Sequence, residues 1–130
     1  MRPTFRKYER LTGRDRLKLV ATTGKVVKAH PFRLVGLLIP LDTIAPAQVA
    51  FAIPKRHVKL AVDRNRVRRL MREAYRLNKH RWYERLIMAE VQCAWLLIFQ
   101  GNGPVSWQES TGKITGLFDR WTQEHVSLDQ

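Results

Sequence analysis

The 130-residue sequence has little cysteine, few acidic side chains and no long hydrophobic run. Its one cysteine, Cys93, excludes an intramolecular disulfide, and the apolar neighbours of this residue indicate a buried, unreactive thiol. Apolar stretches such as residues 34–40 are far shorter than the ~20 residues of a membrane span. Residues 1–10 also lack the hydrophobic segment of a secretion signal, so we expect a cytoplasmic protein.

Side-chain arrangements that support hydrolysis are missing as well. The four histidines have no ligand-like spacing with one another or with Cys93, and the eleven acids are scattered along the chain. No phosphate-binding glycine loop, zinc-protease motif or serine-nucleophile motif occurs. We therefore predict no catalytic residue and no metal-ligating residue in the protein itself.

Positive charge is abundant and unevenly placed. The chain has 24 Lys and Arg against 11 Asp and Glu, a net charge of +13. Eleven of the basic residues and only two acids, Asp63 and Glu73, fall between Lys55 and Arg81. Because so many like charges repel one another in a folded protein, this concentration indicates a polyanionic partner, and the commonest one in a cell is nucleic acid. Residues 82–130 carry a net charge of −3 and are expected to be scaffold.

Hydrophobic periodicity predicts one α+β domain over residues 1–130. The predicted elements are a helix at 12–23, strands at 31–39 and 48–54 with a candidate short strand at 25–28, a basic helix from about Leu60, a strand at 91–99, and a helix from Trp107 to about Glu124. Thr12 and Asp15 approximate a capping box for the first helix. Residues 82–90 are ambiguous, with a second helical stretch as one reading. Residues 1–10 and 125–130 are expected to be flexible tails.

The basic helix is predicted to have two opposite faces. At about 100° per residue, an apolar stripe lies on one side and a basic arc on the other. The stripe comprises Val67, Leu70, Met71, Ala74 and Tyr75, and the arc comprises Asn65, Arg68, Arg69, Arg72 and Arg76. Arginine suits phosphate because its planar fork donates two parallel hydrogen bonds and stays charged at any cellular pH. Glu73 is expected to pair with an arginine of the same helix.

The basic segment resembles a known family. Residues 61–76, AVDRNRVRRLMREAYR, resemble the RNR motif of bacterial ribonuclease P protein subunits. Residues 49–56, VAFAIPKR, are similar to that family's strand ending in a Lys-Lys pair, and Arg10, Leu11, Gly24 and Phe32 match its N-terminal pattern. The likeness extends from about residue 8 to residue 81 and is looser beyond. It rests on the combination of these features, because Arg-Asn-Arg alone is a weak signal.

This resemblance implies a fold and an auxiliary function. The implied fold is a two-layer sandwich of a small, mostly antiparallel sheet with helices, in which a left-handed βαβ crossover passes through the basic helix. The implied function is to join a large catalytic RNA and to assist endonucleolytic removal of the 5′ leader of precursor tRNA. The expected partners are that RNA and precursor tRNA, with no membrane and no obligate protein partner. We expect Mg²⁺ as the cofactor, held mainly by RNA phosphates because the basic helix has no carboxylate cluster.

Two sets of residues follow from the resemblance. The RNA-binding set comprises Lys55, Arg56, Arg64, Asn65, Arg66, Arg68, Arg69, Arg72 and Arg76. A leader cleft between the first helix and the sheet comprises Arg14, Leu17, Lys18, Ala21, Arg33 and Val35. Many members of the family have aromatic side chains at the positions of Leu17, Ala21 and Val35, where they stack on bases. Because this chain lacks those aromatics, we expect Arg14, Lys18 and Arg33 to contribute most of the leader binding. The four tryptophans, Trp82, Trp95, Trp107 and Trp121, are expected in the core.

Other classes of function stay open at the level of sequence. One is a generic RNA- or DNA-binding module, such as a ribosomal or helix-turn-helix protein, and another is a nuclease that acts on its own. A strand-rich core without a second short helix before the basic one argues against helix-turn-helix. Binding of the basic helix to a membrane surface is disfavoured because the sheet is expected to cover its apolar stripe.

Overall fold

A computed structural model describes residues 4–127, which form a four-stranded mixed sheet with helices. The elements are a 3₁₀ turn at Lys7–Glu9, α1 (Arg14–Thr23), β1 (Lys25–Ala29), β2 (Phe32–Leu38), β3 (Ala47–Ala52), α2 (Ala61–Ala89), β4 (Cys93–Phe99) and α3 (Trp107–His125). The predicted α+β class and element order are confirmed, including the candidate short strand. In this part of the chain no helix is long and apolar enough to cross a bilayer.

The sheet has the strand order β1-β2-β4-β3. β1–β2 and β2–β4 are antiparallel pairs, whereas β3 and β4 are parallel and are connected through α2. β4 is therefore an inner strand, and its alternate residues are buried against opposite faces of the sheet. Trp95 and Leu97 face the large core, and Ala94 and Leu96 face a smaller cluster. This burial on both faces explains the nearly unbroken apolar run at 91–99.

α2 and α3 cover one face of the sheet with an aromatic core. The Trp82 ring stacks on Phe118 at a centroid distance of 4.5 Å, and Trp95 meets Phe118 edge-on at 4.8 Å. Gly36 provides room in this core, because a Cβ there would lie 2.4 Å from the ring of Trp121. Trp82, Trp95 and Trp121 are buried as predicted, whereas Trp107 is 45% exposed and does not belong to the core.

The basic helix is one continuous helix of 29 residues, which resolves the ambiguous stretch at 82–90. Trp82 and Leu86 extend the buried stripe by about three further turns. The indole N–H of Trp82 donates to Asp119 Oδ1 at 2.7 Å. The helix ends where Glu90 adopts a left-handed backbone conformation with φ of 58°. The N–H of Glu90 then donates to the Ile87 carbonyl at 3.1 Å, as in a left-handed helix cap.

The predicted capping box of α1 is wrong. The helix begins at Arg14, and its N-cap is Gly13, with φ of 95° and no side-chain capping bond. A positive φ of this size favours glycine, so the backbone conformation at Gly13, rather than a threonine hydroxyl, sets the start of the helix. The predicted end at residue 23 is confirmed, with Gly24 as C-cap.

Residues expected to lie in flexible tails pack against the fold where the structure describes them. Residues 1–3 and 128–130 lie outside the described residues. Phe5 packs against Phe51 and Tyr75, with ring centroids 6.0 and 5.8 Å away, and Glu9 is only 2% exposed. At the other end Val126 is buried, and its carbonyl accepts a hydrogen bond from Arg85 Nη2 at 3.0 Å. Long-range contacts of this kind have no local sequence signal.

Candidate nucleic-acid interface

The nine predicted RNA-binding residues lie on the first half of α2 and the turn before it, and we call them the arginine face. Six of them are exposed: Lys55, Arg56, Asn65, Arg66, Arg68 and Arg69. The other three, Arg64, Arg72 and Arg76, are half-buried. All nine therefore lie on α2 or the turn before it, and most of them are open to solvent.

The apolar stripe fixes the direction in which these side chains point. Val67, Met71, Ala74 and Tyr75 are buried in the large core, and Leu70 packs partly against it. Because the stripe is held against the sheet side, the opposite arc of the helix must face solvent. The predicted sidedness of the basic helix is confirmed.

Arg64 has a structural task in addition to its predicted one. Its Nη1 donates to the carbonyl oxygens of Val58 and Lys59 at 2.9 and 2.8 Å. These bonds brace the turn between β3 and α2, which carries Lys55 and Arg56. Part of its donor capacity is therefore committed within the protein.

Arg76 is the member of the arginine face whose charge is compensated. Its Nε and Nη2 donate to the two carboxylate oxygens of Glu73 at 2.8 and 2.9 Å. The hydrogen bond from Arg76 lowers the pKa of Glu73 below its ordinary value. Among residues 4–127, no other member of the arginine face has a carboxylate within 4.0 Å. The expected helical partner of Glu73 is thus Arg76, and free positive charge is concentrated on the remaining members.

The N-terminal segment is fastened to α2 by a buried carboxylate that sequence reasoning missed. Glu9 accepts hydrogen bonds from the Arg6 N–H at 2.6 Å and from the Tyr83 hydroxyl at 2.8 Å, and it pairs with the ammonium of Lys79. The Tyr83 hydroxyl also lies 2.8 Å from that of Tyr75. Burial raises the pKa of Tyr75 and of Tyr83 well above the ordinary value, so both hydroxyl groups stay neutral hydrogen-bonding partners. This network holds residues 5–10 beside the arginine face.

A groove of about 680 Å³ opens between this segment and the middle of α2. Tyr8 and Ile44 lie along it with exposed fractions of 47% and 92%, and Arg76 and His80 line its α2 side. No sequence pattern predicted this groove, because three distant segments form it.

The predicted leader cleft lies on the opposite face of the sheet, where α1 packs on β2 and β4. Leu17 is half-buried at the rim of the small cluster, and Arg14, Lys18 and Ala21 are exposed. The assignment of Val35 to the cleft lining is wrong. Its side chain is 1% exposed in the small cluster that contains Val20, so it is not available to a ligand.

Further polar and apolar groups lie on this face beside the predicted cleft. Arg33 is half-buried on the same side of β2 as Val35, and its Nε has no hydrogen-bond partner within the described residues. Half-buried apolar side chains that sequence reasoning did not include adjoin the cluster: Leu37, Ile39, Leu41, Ala50, Ala52 and Ile98. These residues are aliphatic, so the face offers an apolar floor beside basic side chains rather than aromatic stacking platforms.

The protein side chains do not fit a Mg²⁺ site of their own. Within residues 4–127, no group of three or more His, Cys, Asp or Glu could hold a metal ion. Glu73, on the arginine face itself, is committed to Arg76. Cys93 is buried, and burial raises the pKa of its thiol well above the usual value, which disfavours the thiolate that binds metals.

Comparisons with known proteins agree with this geometry. The family model described as Ribonuclease P matches residues 5–120. The ribonuclease P protein component of Porphyromonas gingivalis W83 is 44% identical over 80 residues, which cover 60% of this chain and 58% of that protein. The corresponding protein of Pasteurella multocida is 28% identical over 111 residues, covering 82% and 83% of the two chains. The alignments to the two P. gingivalis strains span less than two thirds of those relatives' length.

Solved structures share the fold. The RNase P protein from Thermotoga maritima superposes with a TM-score of 0.67 at 20% identity, covering 86% of this chain and 96% of that one. The RNase P protein of Staphylococcus aureus does so with a TM-score of 0.67 at 14% identity, covering 91% and 96%. These identities show the fold alone, whereas the family model spans nearly the whole described chain. The chain therefore belongs to the ribonuclease P protein family.

Proposed function

We propose that this chain is the protein subunit of ribonuclease P, which binds the catalytic RNA and the 5′ leader of precursor tRNA. In this role it assists endonucleolytic removal of the leader to give the mature 5′ end of tRNA. The observation that carries the proposal is the arginine face, an exposed basic surface with one compensated member in a chain of this family. Catalysis itself is assigned to the RNA, and the protein is proposed to act in the cytoplasm.

The arginine face is proposed to act electrostatically. Catalytic RNA and precursor tRNA are both polyanions, so their assembly is opposed by repulsion between phosphates. Exposed guanidinium groups such as Arg66, Arg68 and Arg69 replace condensed counterions, whose release favours binding. Their bidentate geometry also fixes the orientation of the bound phosphates. The protein thereby lowers the free energy of bringing the two RNAs together.

The leader and the metal ion are assigned to different parts of the complex. The leader is proposed to lie over α1 and the sheet, where Arg14, Lys18 and Arg33 contact its phosphates and the aliphatic floor contacts its bases. Mg²⁺ is proposed to be held mainly by RNA phosphates, because the described side chains lack a donor set for it.

Reconstitution tests the proposal. Cleavage of precursor tRNA is measured with protein alone, with catalytic RNA alone and with both, at low Mg²⁺ concentration. We expect no cleavage by the protein alone and a large stimulation of RNA-dependent cleavage by the pair. Cleavage by protein alone would instead support the independent nuclease, and binding without stimulation would support a generic RNA-binding module.

A paired variant tests the assignment to the arginine face. Replacing Arg68 and Arg72 together by Ala should weaken assembly with the catalytic RNA while leaving the circular dichroism spectrum unchanged. Arg120→Ala is the matched control, because this arginine pairs with Glu124 and donates a hydrogen bond to the backbone carbonyl of Lys28, at the opposite edge of the sheet. Unchanged cleavage at low Mg²⁺ by the double variant would contradict the assignment.

A further inference from the structure

A second basic feature lies where the arginine face meets the edge of the sheet. A cleft of about 280 Å³ opens between α2, the edge strand β3 and the N-terminal segment, and we call it the edge cleft. Its lining residues of interest are Phe5, Arg10, Thr12, Arg68 and Arg72. At ~30 Å³ per water molecule, this volume holds roughly nine waters, enough for one phosphodiester group and its sugar.

Three guanidinium groups converge on this cleft from segments far apart in sequence. Arg10 comes from the N-terminal segment, whereas Arg68 and Arg72 come from α2. No acidic residue lines the cleft, and none of the three arginines forms an ion pair with a described carboxylate. Convergence of like charges without a counter-charge is unfavourable in the free protein and becomes favourable when an anion is bound.

The ring of Phe5 positions two of these cations. The guanidinium carbons of Arg10 and Arg72 lie 5.7 and 5.6 Å from the centroid of this ring, within the range of a cation–π interaction. Phe5 is itself held by contacts with Phe51 and Tyr75. The cleft is therefore organised before a ligand arrives, which reduces the entropic cost of binding.

The cleft also lies between the two proposed RNA-binding surfaces. Arg68 and Arg72 belong to the arginine face, and Leu11 and Thr12 lead into α1 beside the leader cleft. The N–H of Leu11 donates to the Val49 carbonyl at 3.0 Å, which fixes this connection to the edge of β3. The edge cleft is therefore a direct route for an RNA strand between the two surfaces.

We propose that the edge cleft is a phosphate-binding subsite, in which Arg10, Arg68 and Arg72 hold one phosphodiester group of bound RNA. Phe5 is a positioning residue for two of these arginines. The inference rests on the proposed function, since it names a contact within the same RNA complex. It adds Arg10 and Phe5 to the interface, neither of which belongs to the predicted RNA-binding set.

A methylphosphonate scan of the precursor leader tests the subsite in the reconstituted complex. Each substitution removes the charge of one phosphate, and the dissociation constant is measured for the wild type and for Arg10→Ala. We expect one linkage whose neutralisation weakens wild-type binding about 10-fold, as for a charged hydrogen bond. In Arg10→Ala the same substitution should cost less than about 2-fold, because its partner is gone. Arg120→Ala should keep the full wild-type effect.

The phosphate could belong to the leader or to the catalytic RNA, and a tethered probe distinguishes these sources. Because Cys93 is buried, the variant Thr12→Cys has one exposed thiol to which an iron chelate can be attached. The chelate then cleaves nearby RNA, and the nucleotides that are cut identify the strand in the cleft. If the cuts fall in the catalytic RNA, a methylphosphonate is introduced there by splinted ligation and the same comparison is made. Coupling to Arg10 on either RNA supports the subsite.

Phe5→Leu separates positioning from folding. This variant keeps an apolar side chain against Phe51 but removes the ring. The weakening of binding caused by the methylphosphonate should therefore be about 3-fold smaller than in the wild type, while the thermal unfolding midpoint changes little. The subsite is overturned if no linkage in either RNA couples to Arg10 although the wild-type complex assembles and cleaves. Failure of the wild type to bind or stimulate the catalytic RNA would instead overturn the proposed function.

Discussion

Glu73 holds the guanidinium of Arg76 by two parallel hydrogen bonds of 2.8 and 2.9 Å. This pair places a carboxylate within a surface that is otherwise basic. It limits the positive charge at one end of the arginine face, because one arginine is neutralised locally. The contribution of Arg76 to RNA binding is therefore expected to be smaller than that of Arg68 or Arg69.

Glu73→Gln should strengthen RNA binding. The change removes one negative charge from the arginine face, so we expect a two- to fivefold lower dissociation constant for catalytic RNA, or about 0.4–1 kcal/mol, the range of an exposed charge interaction. The measurement is a binding titration at fixed salt.

The same pair gives this effect a pH dependence. Since Arg76 lowers the pKa of Glu73, the wild-type carboxylate stays charged through the pH range in which a free glutamate is protonated. It is protonated only as the pH falls through the lowered pKa. The advantage of Glu73→Gln should therefore persist at neutral pH and disappear in acid. An advantage independent of pH, or none at pH 7, would contradict this reading.

Removal of the buried Glu9 carboxylate should destabilise the fold. Glu9→Ala leaves Lys79, whose side chain is 14% exposed, without its counter-charge, and it breaks the hydrogen bond from Tyr83. We expect a loss of about 3–5 kcal/mol in the free energy of unfolding, as for a broken buried pair. Urea denaturation measures this quantity.

The control for this change is Glu109→Ala. Its carboxylate is exposed and pairs with Lys113 at 3.2 Å, so the cost should stay below about 1 kcal/mol. Equal costs at the two sites would show that the Glu9 network does not fasten the N-terminal segment.

Sequence patterns predicted the parts of this fold that depend on local periodicity. The apolar stripe through Val67 and Met71 indicated which side of α2 is buried, and the opposite arc identified the exposed arginines. The apolar run at 91–99 likewise indicated a strand covered on both faces. In each case burial follows from the positions of residues within one element.

Features formed by distant segments could not be predicted in this way. The pairing of Glu9 with Lys79 joins residues 70 positions apart, and the contact of Arg72 with Phe5 joins α2 to a segment expected to be a tail. The continuation of α2 through Trp82 depends on its packing against α3. Val35 was expected in the leader cleft from the family resemblance, and neither that likeness nor strand alternation indicates what covers this face of the strand.

Gly36→Ala should destabilise the protein through overpacking. The added methyl group would lie 2.4 Å from the ring of Trp121 in a filled core. We therefore expect the free energy of unfolding to fall by about 1–3 kcal/mol. Thermal and urea unfolding measure the change.

Gly116→Ala serves as the opposite control. Its added methyl group meets nothing within 4 Å on an exposed position of α3, and alanine favours helix, so stability should rise by about 0.5–1 kcal/mol. If Gly36→Ala proved as stable as the wild type, the close approach of Trp121 to β2 would be contradicted.

The salt dependence of binding to the catalytic RNA tests most directly whether the arginine face binds RNA phosphates. If about six cations each neutralise a phosphate, log K should fall against log salt concentration with a slope of roughly −4 to −5. Replacing Arg66, Arg68 and Arg69 together by Ala should reduce the slope to roughly −2 to −3, because three contacts are lost. A wild-type slope near zero, or a slope unchanged in the triple variant, would contradict the electrostatic role of this surface.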